Sequence, residues 1–248
     1  MENTLAIIDR DSFCYLCSGD TLQESVERID KLIANTLDKT GSTSYYLFLS
    51  TGPYFRHNVN TDYKGKRPSS PLKYLKTLKN YLKEQYYAES FTQVEADDMV
   101  SYVQHSFLNG KFPQFSKSIV CAIDKDVKKG IPGHTFDYKK NEFSYSTKEE
   151  SSSFIHLQSI MGDSTDNIKG IPGVGEVKAG KLLEKVAPEL QATVAYQSYL
   201  DFYKEPGQAL HEYQKNFKQV YLLQTDDDFL NNVGYVPELK DPITIINE

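Results

Sequence analysis

Gly162-Asp163-Ser164-Thr165-Asp166-Asn167-Ile168-Lys169-Gly170-Ile171-Pro172-Gly173-Val174-Gly175-Glu176-Val177-Lys178-Ala179-Gly180-Lys181-Leu182-Leu183 joins two devices in one stretch. Asp163 and Asp166 close a helical apolar pattern over 154–161. A spacing of three puts two carboxylates on one side of a helical turn, where they can share a divalent cation. Gly170, Gly173 and Gly175 then permit a tight turn whose backbone is free of side chains. Over 176–186 the helical period resumes, with Val177, Leu182, Leu183 and Val186 apolar. The reading is helix, tight turn, helix. A glycine turn at a helix N-terminus offers bare N–H groups and partial positive charge to a phosphate oxygen. Lys178 and Lys181 add cations beside it.

Position by position, this stretch resembles the shared segment of the 5′ nucleases, Gly-Asp-x-x-Asp-Asn-Ile-x-Gly-Ile-Pro-Gly-Val-Gly. That family includes the flap endonucleases, the 5′-nuclease domain of bacterial DNA polymerase I and the small phage 5′→3′ exonucleases. The resemblance implies an α/β fold, with a mostly parallel central sheet flanked by helices and a helix-hairpin-helix DNA-binding element. It further implies DNA contacts at Gly170, Gly173, Val174, Gly175, Lys178 and Lys181.

Towards the N-terminus, Leu5-Ala6-Ile7-Ile8 is a continuous apolar run ending in Asp9. This is the pattern of a buried parallel strand with a carboxylate at its C-terminal end, where open α/β sheets place their ligands. Alone, Asp9 also suits a turn or helix cap. The family has a metal-binding Asp here, usually followed by Gly; Arg10 takes that place, and Asp11 is a second nearby candidate. Positions 21–37 show a helical period behind Thr21 as N-cap. Positions 45–49 read as a second strand. The family carries another Asp at its end, and this chain has Ser50-Thr51-Gly52 instead.

Tyr54-Phe55-Arg56 and Tyr63-Lys64-Gly65-Lys66-Arg67-Pro68 resemble the base of the family's helical arch. There, basic side chains meet the scissile phosphate and an aromatic stacks on a base. The resemblance implies catalytic roles for Lys64 and Arg67 and DNA contacts by Arg56 and Tyr63. Over 72–87 a helix is expected, with Lys73, Lys76, Lys79 and Lys83 on a stripe that is either DNA-facing or simply solvated.

Glu95-Ala96-Asp97-Asp98 opens a helix over 97–108. Acids in a first turn offset the macrodipole, yet so many in so few residues exceed that need and repel unless cations lie among them. Positions 118–123 are a third buried strand. Asp124 and Asp126 follow, two apart and so pointing the same way in extended chain. Both clusters resemble the family's, which implies metal ligation by Asp9, Glu95, Asp97, Asp98, Asp124, Asp126, Asp163 and Asp166. Hard oxygen donors without His or Cys select Mg2+ or Mn2+ over zinc. Two or more ions, about 3.5–4 Å apart, would activate a water, orient the phosphodiester and stabilise the leaving 3′ oxygen.

The remaining segments are a hairpin over 134–145, a stretch over 148–161 that leads into the helical pattern at 154–161, and a C-terminal helical element over 208–223. Thr225-Asp226-Asp227-Asp228 reads as a solvated tail or helix stop. A net charge of −6 argues naively against nucleic acid, but divalent cations in the carboxylate cluster would offset much of it. Hydrophobic residues at 39% fit a buried core, and no apolar run reaches membrane-span length. With no signal-peptide pattern, a cytoplasmic location is the expectation, that of the host cell if the chain is phage-encoded. Three cysteines make no disulfide framework; Cys14 and Cys17, spaced Cys-x-x-Cys without further ligands, read as small core hydrophobes.

The expected organisation is a nuclease core over 1–162 with an arch at 53–94, a helix-hairpin-helix at 163–187, and a helical extension at 188–248 packed on the core. The expected function is a divalent-metal-dependent 5′→3′ exonuclease and flap endonuclease. It would act as a monomer on DNA 5′ ends, flaps and nicked or gapped duplex, and on the RNA-DNA hybrid of primers, in replication or recombination. Two alternatives stand beside it. One is a flap-binding protein with weak or no hydrolysis, prompted by Ser50; the other is a PIN-type ribonuclease, disfavoured by the Gly173-Val174-Gly175 turn.

Overall fold

A computed structural model describes residues 3–66 and 72–245, and the chain divides into two compact units. The first comprises Met1–Tyr54, Ser70–Ser146 and Leu222–Glu248. Its apolar runs become strands β1 (Thr4–Asp9), β2 (Ser44–Phe48) and β3 (Lys117–Cys121), buried nearly throughout. The hairpin is β4 (Gly133–Asp137) and β5 (Glu142–Ser146), and a short β6 (Ile243–Thr244) completes one sheet of order β5-β4-β3-β1-β2-β6. The four central strands are parallel, and both edges pair antiparallel. This is the mostly parallel sheet the sequence predicts. The hairpin proves to be a sheet extension, because β4 pairs with β3 as well as with β5.

Thr21 caps the helix Leu22–Thr40 by accepting the Glu24 N–H, and Gly41 ends it at φ 60°, a left-handed conformation that glycine adopts without strain. Ile29 and Ile33 of that helix join Ala6, Ile8, Leu47, Cys121 and Phe136 in the core. Cys14 and Cys17 lie in the same core as free thiols, and burial pushes the Cys14 thiol up to about 11. A thiol so placed is an inert packing group. The run Thr225-Asp226-Asp227-Asp228 is a helix start, contrary to the sequence reading. Thr225 and Asp228 form a capping box for the helix Asp226–Val233, and acids favour a first turn. No helix among the described residues is long and apolar enough to cross a membrane.

The second unit comprises Phe55–Ser69 and Thr147–Tyr221. Its longer helices are Lys148–Met161, Glu176–Leu183, Gln191–Tyr203 and Pro206–Val220. Ile160, Ile171, Ala179, Leu183, Ala195, Tyr199 and Ala209 form a separate small core. The helix Gln191–Tyr203 escapes the sequence reading because it buries Ala195 and Tyr199 rather than a leucine stripe. The Tyr199 hydroxyl is satisfied by the Ser159 carbonyl, as a buried phenol requires.

Candidate active site

In the first unit the chain passes from β1 to β2 on one side and then returns to place β3 on the other. The topological switch therefore lies between β1 and β3, and ligand crevices open at the carboxyl ends of such strands. Asp9 is the last residue of β1 and is buried. Its carbonyl accepts the Tyr138 hydroxyl at 3.0 Å, and its Oδ1 accepts the Asp11 N–H at 3.3 Å.

The helix Ala96–Leu108 packs on β1, β2 and β3 and starts beside them. Glu95 and Asp98 form a capping box, so the dipole-compensation reading is correct as far as it goes. It does not account for the whole cluster. Ligand oxygens of Glu95, Asp97 and Asp98 lie within 4.8 Å of one another, with Glu95 and Asp98 buried. Asp98 is 0% exposed, and its Oδ1 also accepts the Leu223 N–H at 3.2 Å. Buried carboxylates this close repel unless a cation lies among them, and an all-oxygen donor set of this kind fits a hard divalent ion. Ser50 fixes the start of that helix: its Oγ accepts the Ala96 N–H at 2.8 Å.

Asp124 and Asp126 are not the extended pair expected from their spacing. Asp124 is the N-cap of the helix Lys125–Gly130 and accepts the Asp126 N–H at 2.8 Å, while Asp126 lies in the first turn. Capping turns the chain at the point where an extended reading has it run on. Sequence reasoning also missed Arg10. Its guanidinium is fully buried, without a hydrogen-bond partner, stacked 4.5 Å from the Phe13 ring centroid and 5.3 Å from that of Tyr86. Burial lowers its pKa to about 10. The only sequence signal was that an arginine stood where the family has glycine.

In the second unit, Asp163 and Asp166 do not lie on a helical turn. The helix ends at Met161, and Asp163 pairs with Ile168 across a tight loop, N–H to carbonyl at 2.9 and 2.7 Å. Asp166 sits within that loop. Lys64, at φ 56°, donates its N–H to the Asp166 carbonyl at 2.9 Å and holds its ammonium 3.8 Å from Asp166 Oδ2. The Tyr63 hydroxyl donates to the same oxygen at 3.3 Å. Tyr63 is buried, as is Arg56, whose guanidinium donates to the carbonyls of Gln219 and Tyr221 at 2.9 and 2.8 Å. So placed, Arg56 braces the segment carrying Tyr63 and Lys64. Arg67 lies outside the described residues.

Gly170 has φ 59°, and a Cβ there would meet the Gly162 nitrogen at 2.4 Å. Only glycine fits so close an approach. Gly173 is left-handed but open, and Gly175 is the N-cap of the helix Glu176–Leu183. Val174 is half-buried between them. Lys178 donates to the Gly173 carbonyl at 2.9 Å, and Lys181 is exposed.

Fold and sequence alike resemble the 5′ nucleases. The chain is 30% identical over 154 residues to DNA polymerase I of Bacillus subtilis, a match covering 53% of this chain and 16% of that protein. It is 26% identical over 168 residues to a 5′-3′ exonuclease of Mycoplasmopsis pulmonis, covering 60% of this chain and 55% of the relative. It thus spans about half or less of the length of these relatives. Among solved structures, the flap endonuclease of bacteriophage T5 in a complex with DNA and metal ions shares the fold at a TM-score of 0.62 and 16% identity, covering 88% of this chain and 98% of that one. No protein-family model matches the chain.

Proposed function

We propose that this chain is a divalent-metal-dependent 5′→3′ exonuclease and flap endonuclease that hydrolyses DNA phosphodiester bonds. The observation that carries the proposal is the Glu95, Asp97 and Asp98 group, three carboxylates within 4.8 Å of one another at a helix start that is bonded to Ser50, just past the carboxyl end of β2. When bound there, Mg2+ or Mn2+ supplies Lewis acidity and neutralises charge on the phosphodiester. The chain's own residues do the rest. Glu95 and Asp98, locked by their capping bonds, hold their oxygens in place without rearrangement. Asp9, Asp124 and Asp126 are further ligand candidates of the first unit, and Asp163 and Asp166 are an acidic pair of the second. Lys64, whose ammonium lies 3.8 Å from Asp166 Oδ2, and Arg67 are the proposed basic residues of the second unit, of a chemistry that stabilises charge on a phosphate.

The loop and helix from Gly170 to Lys181 serve as a helix-hairpin-helix, taking duplex phosphates on backbone amides and lysines without reading bases. Substrates are 5′ ends, flaps, and nicked or gapped duplex, with RNA-DNA hybrid as a further one. The enzyme works as a monomer in the cytoplasm.

The test is a time course on a 5′-flap duplex and a nicked duplex, each labelled at either end, with Mg2+ or with chelator. Mononucleotides or short fragments should leave the 5′ end only with metal. Duplex binding without cleavage in either Mg2+ or Mn2+ would replace the proposal by the second reading, a flap-binding protein, which Ser50 at the end of β2 favours.

A further inference from the structure

Ser50 is 3% exposed, and each of its polar groups is engaged. Its N–H donates to Asp11 Oδ1 at 3.0 Å, its Oγ accepts from Ala96, and its carbonyl accepts the Lys79 ammonium at 2.8 Å. Lys79 Nζ also lies 3.4 Å from that same Asp11 Oδ1. Asp11 in turn donates its N–H to Asp9 Oδ1. A polar path therefore runs from Asp9 through Asp11 and Ser50 to Ala96, which stands between Glu95 and Asp97 in the chain. An ammonium sits on its edge. The Asp11–Lys79 pair is partly exposed, and pairs of that kind contribute little to stability, so fold maintenance alone is a weak account of it.

We propose that Lys79 is a positioning residue that gives the site a fixed positive charge at the end of β2. It neutralises Asp11 and keeps that carboxylate out of the ligand set. A permanent positive charge there opposes a divalent ion beside it and leaves Asp9, Glu95, Asp97 and Asp98 as the first unit's cation-binding side. Where the family places a carboxylate, this chain offers a cation. The inference rests on the nuclease reading of those acids.

The test is titration with Mn2+ alone, free ion being followed by electron paramagnetic resonance, on the full chain and its variants. Lys79→Met should bind one further Mn2+ at Asp11, and Lys79→Arg should keep the wild-type isotherm. Asp11→Asn leaves the ammonium unbalanced and should weaken binding about tenfold, the low end of what a supporting partner contributes to metal affinity. The double variant Asp11→Asn/Lys79→Met should return to the wild-type number. If Lys79→Met and Asp11→Asn both superimpose on wild type, Lys79 is a structural tie and the inference is overturned. A wild-type chain that takes up no Mn2+ overturns the nuclease reading itself, a different result from a bound ion indifferent to Lys79.

Discussion

Asp98 and Asp166 are held in place by opposite means. Asp98 sits on the first turn of a helix that packs on three parallel strands and whose start is fixed by the Ser50 hydroxyl. Its position follows from regular structure. Asp166 sits in a loop defined by left-handed backbone at Gly162, Asn167, Gly170 and Gly173, with Lys64, also left-handed, bonded to its carbonyl. In the first unit, then, side chains carry the proposed site on a backbone that many residues would build. In the second, the backbone is itself the specialised part, and glycine is its requirement.

If that contrast holds, replacing a side chain in the first unit should remove chemistry and spare the fold. Asp97 is half-buried on a surface turn of its helix. Asp97→Ala should lower metal-dependent cleavage of a 5′ flap by more than the roughly 100-fold that loss of a supporting partner costs a metal site. Thermal stability and duplex binding in chelator should stay near wild type. Retained turnover would sink the assignment of the cluster.

The converse applies to the second unit, where adding one carbon should harm the fold. Gly170→Ala would place its Cβ 2.4 Å from the Gly162 nitrogen and the Met161 carbonyl carbon, backbone atoms that cannot swing aside. It should cost about 3 kcal/mol or more in urea unfolding, as overpacking at a strained φ does. Gly173→Ala, equally left-handed but with nothing within 4 Å, should cost only about 1 kcal/mol. Equal losses at the two positions would mean that φ alone, and not close backbone approach, makes glycine necessary here.

The same contrast decides what the sequence reveals. Leu5-Ala6-Ile7-Ile8 announces a buried parallel strand because burial on both faces needs an unbroken apolar run, and β1 is buried throughout. Thr21 and the Glu-Ala-Asp-Asp group were legible for the same reason: helix caps have fixed chemistry. The glycine loop was legible through its glycines alone. Nothing in a lysine marks Lys64 at φ 56°, and an asparagine marks Asn167 at φ 59° only weakly. The helical spacing of Asp163 and Asp166 therefore misled, since the loop between them is set by the Asp163–Ile168 pairing. Arg10 is a case of a different sort. Its apolar neighbours Phe13 and Tyr86 are distant from each other in sequence, and no local pattern predicts a guanidinium stacked between rings. β6 is invisible for a similar reason, its two residues pairing with a strand some two hundred positions earlier.

The smallest effect concerns the second unit's own stability against acid. His156, on the helix Lys148–Met161, stacks on the Phe217 ring at 5.7 Å, and its Nδ1 is buried without a hydrogen-bond partner. Burial lowers its pKa from the ordinary value near 6.5. Below that value the unfolded chain takes up a proton that the folded chain declines, so stability falls as pH drops from about 6.5 to the lowered native pKa and is unaffected above it. His156→Phe keeps the stacked ring and removes the titration. Melting temperatures at pH 7.5 and pH 5 should therefore draw closer together in His156→Phe than in wild type, whatever the substitution does to absolute stability. An unchanged pH difference would show that the imidazole takes its proton without disturbing the helix packing, and that the second unit's acid sensitivity lies elsewhere.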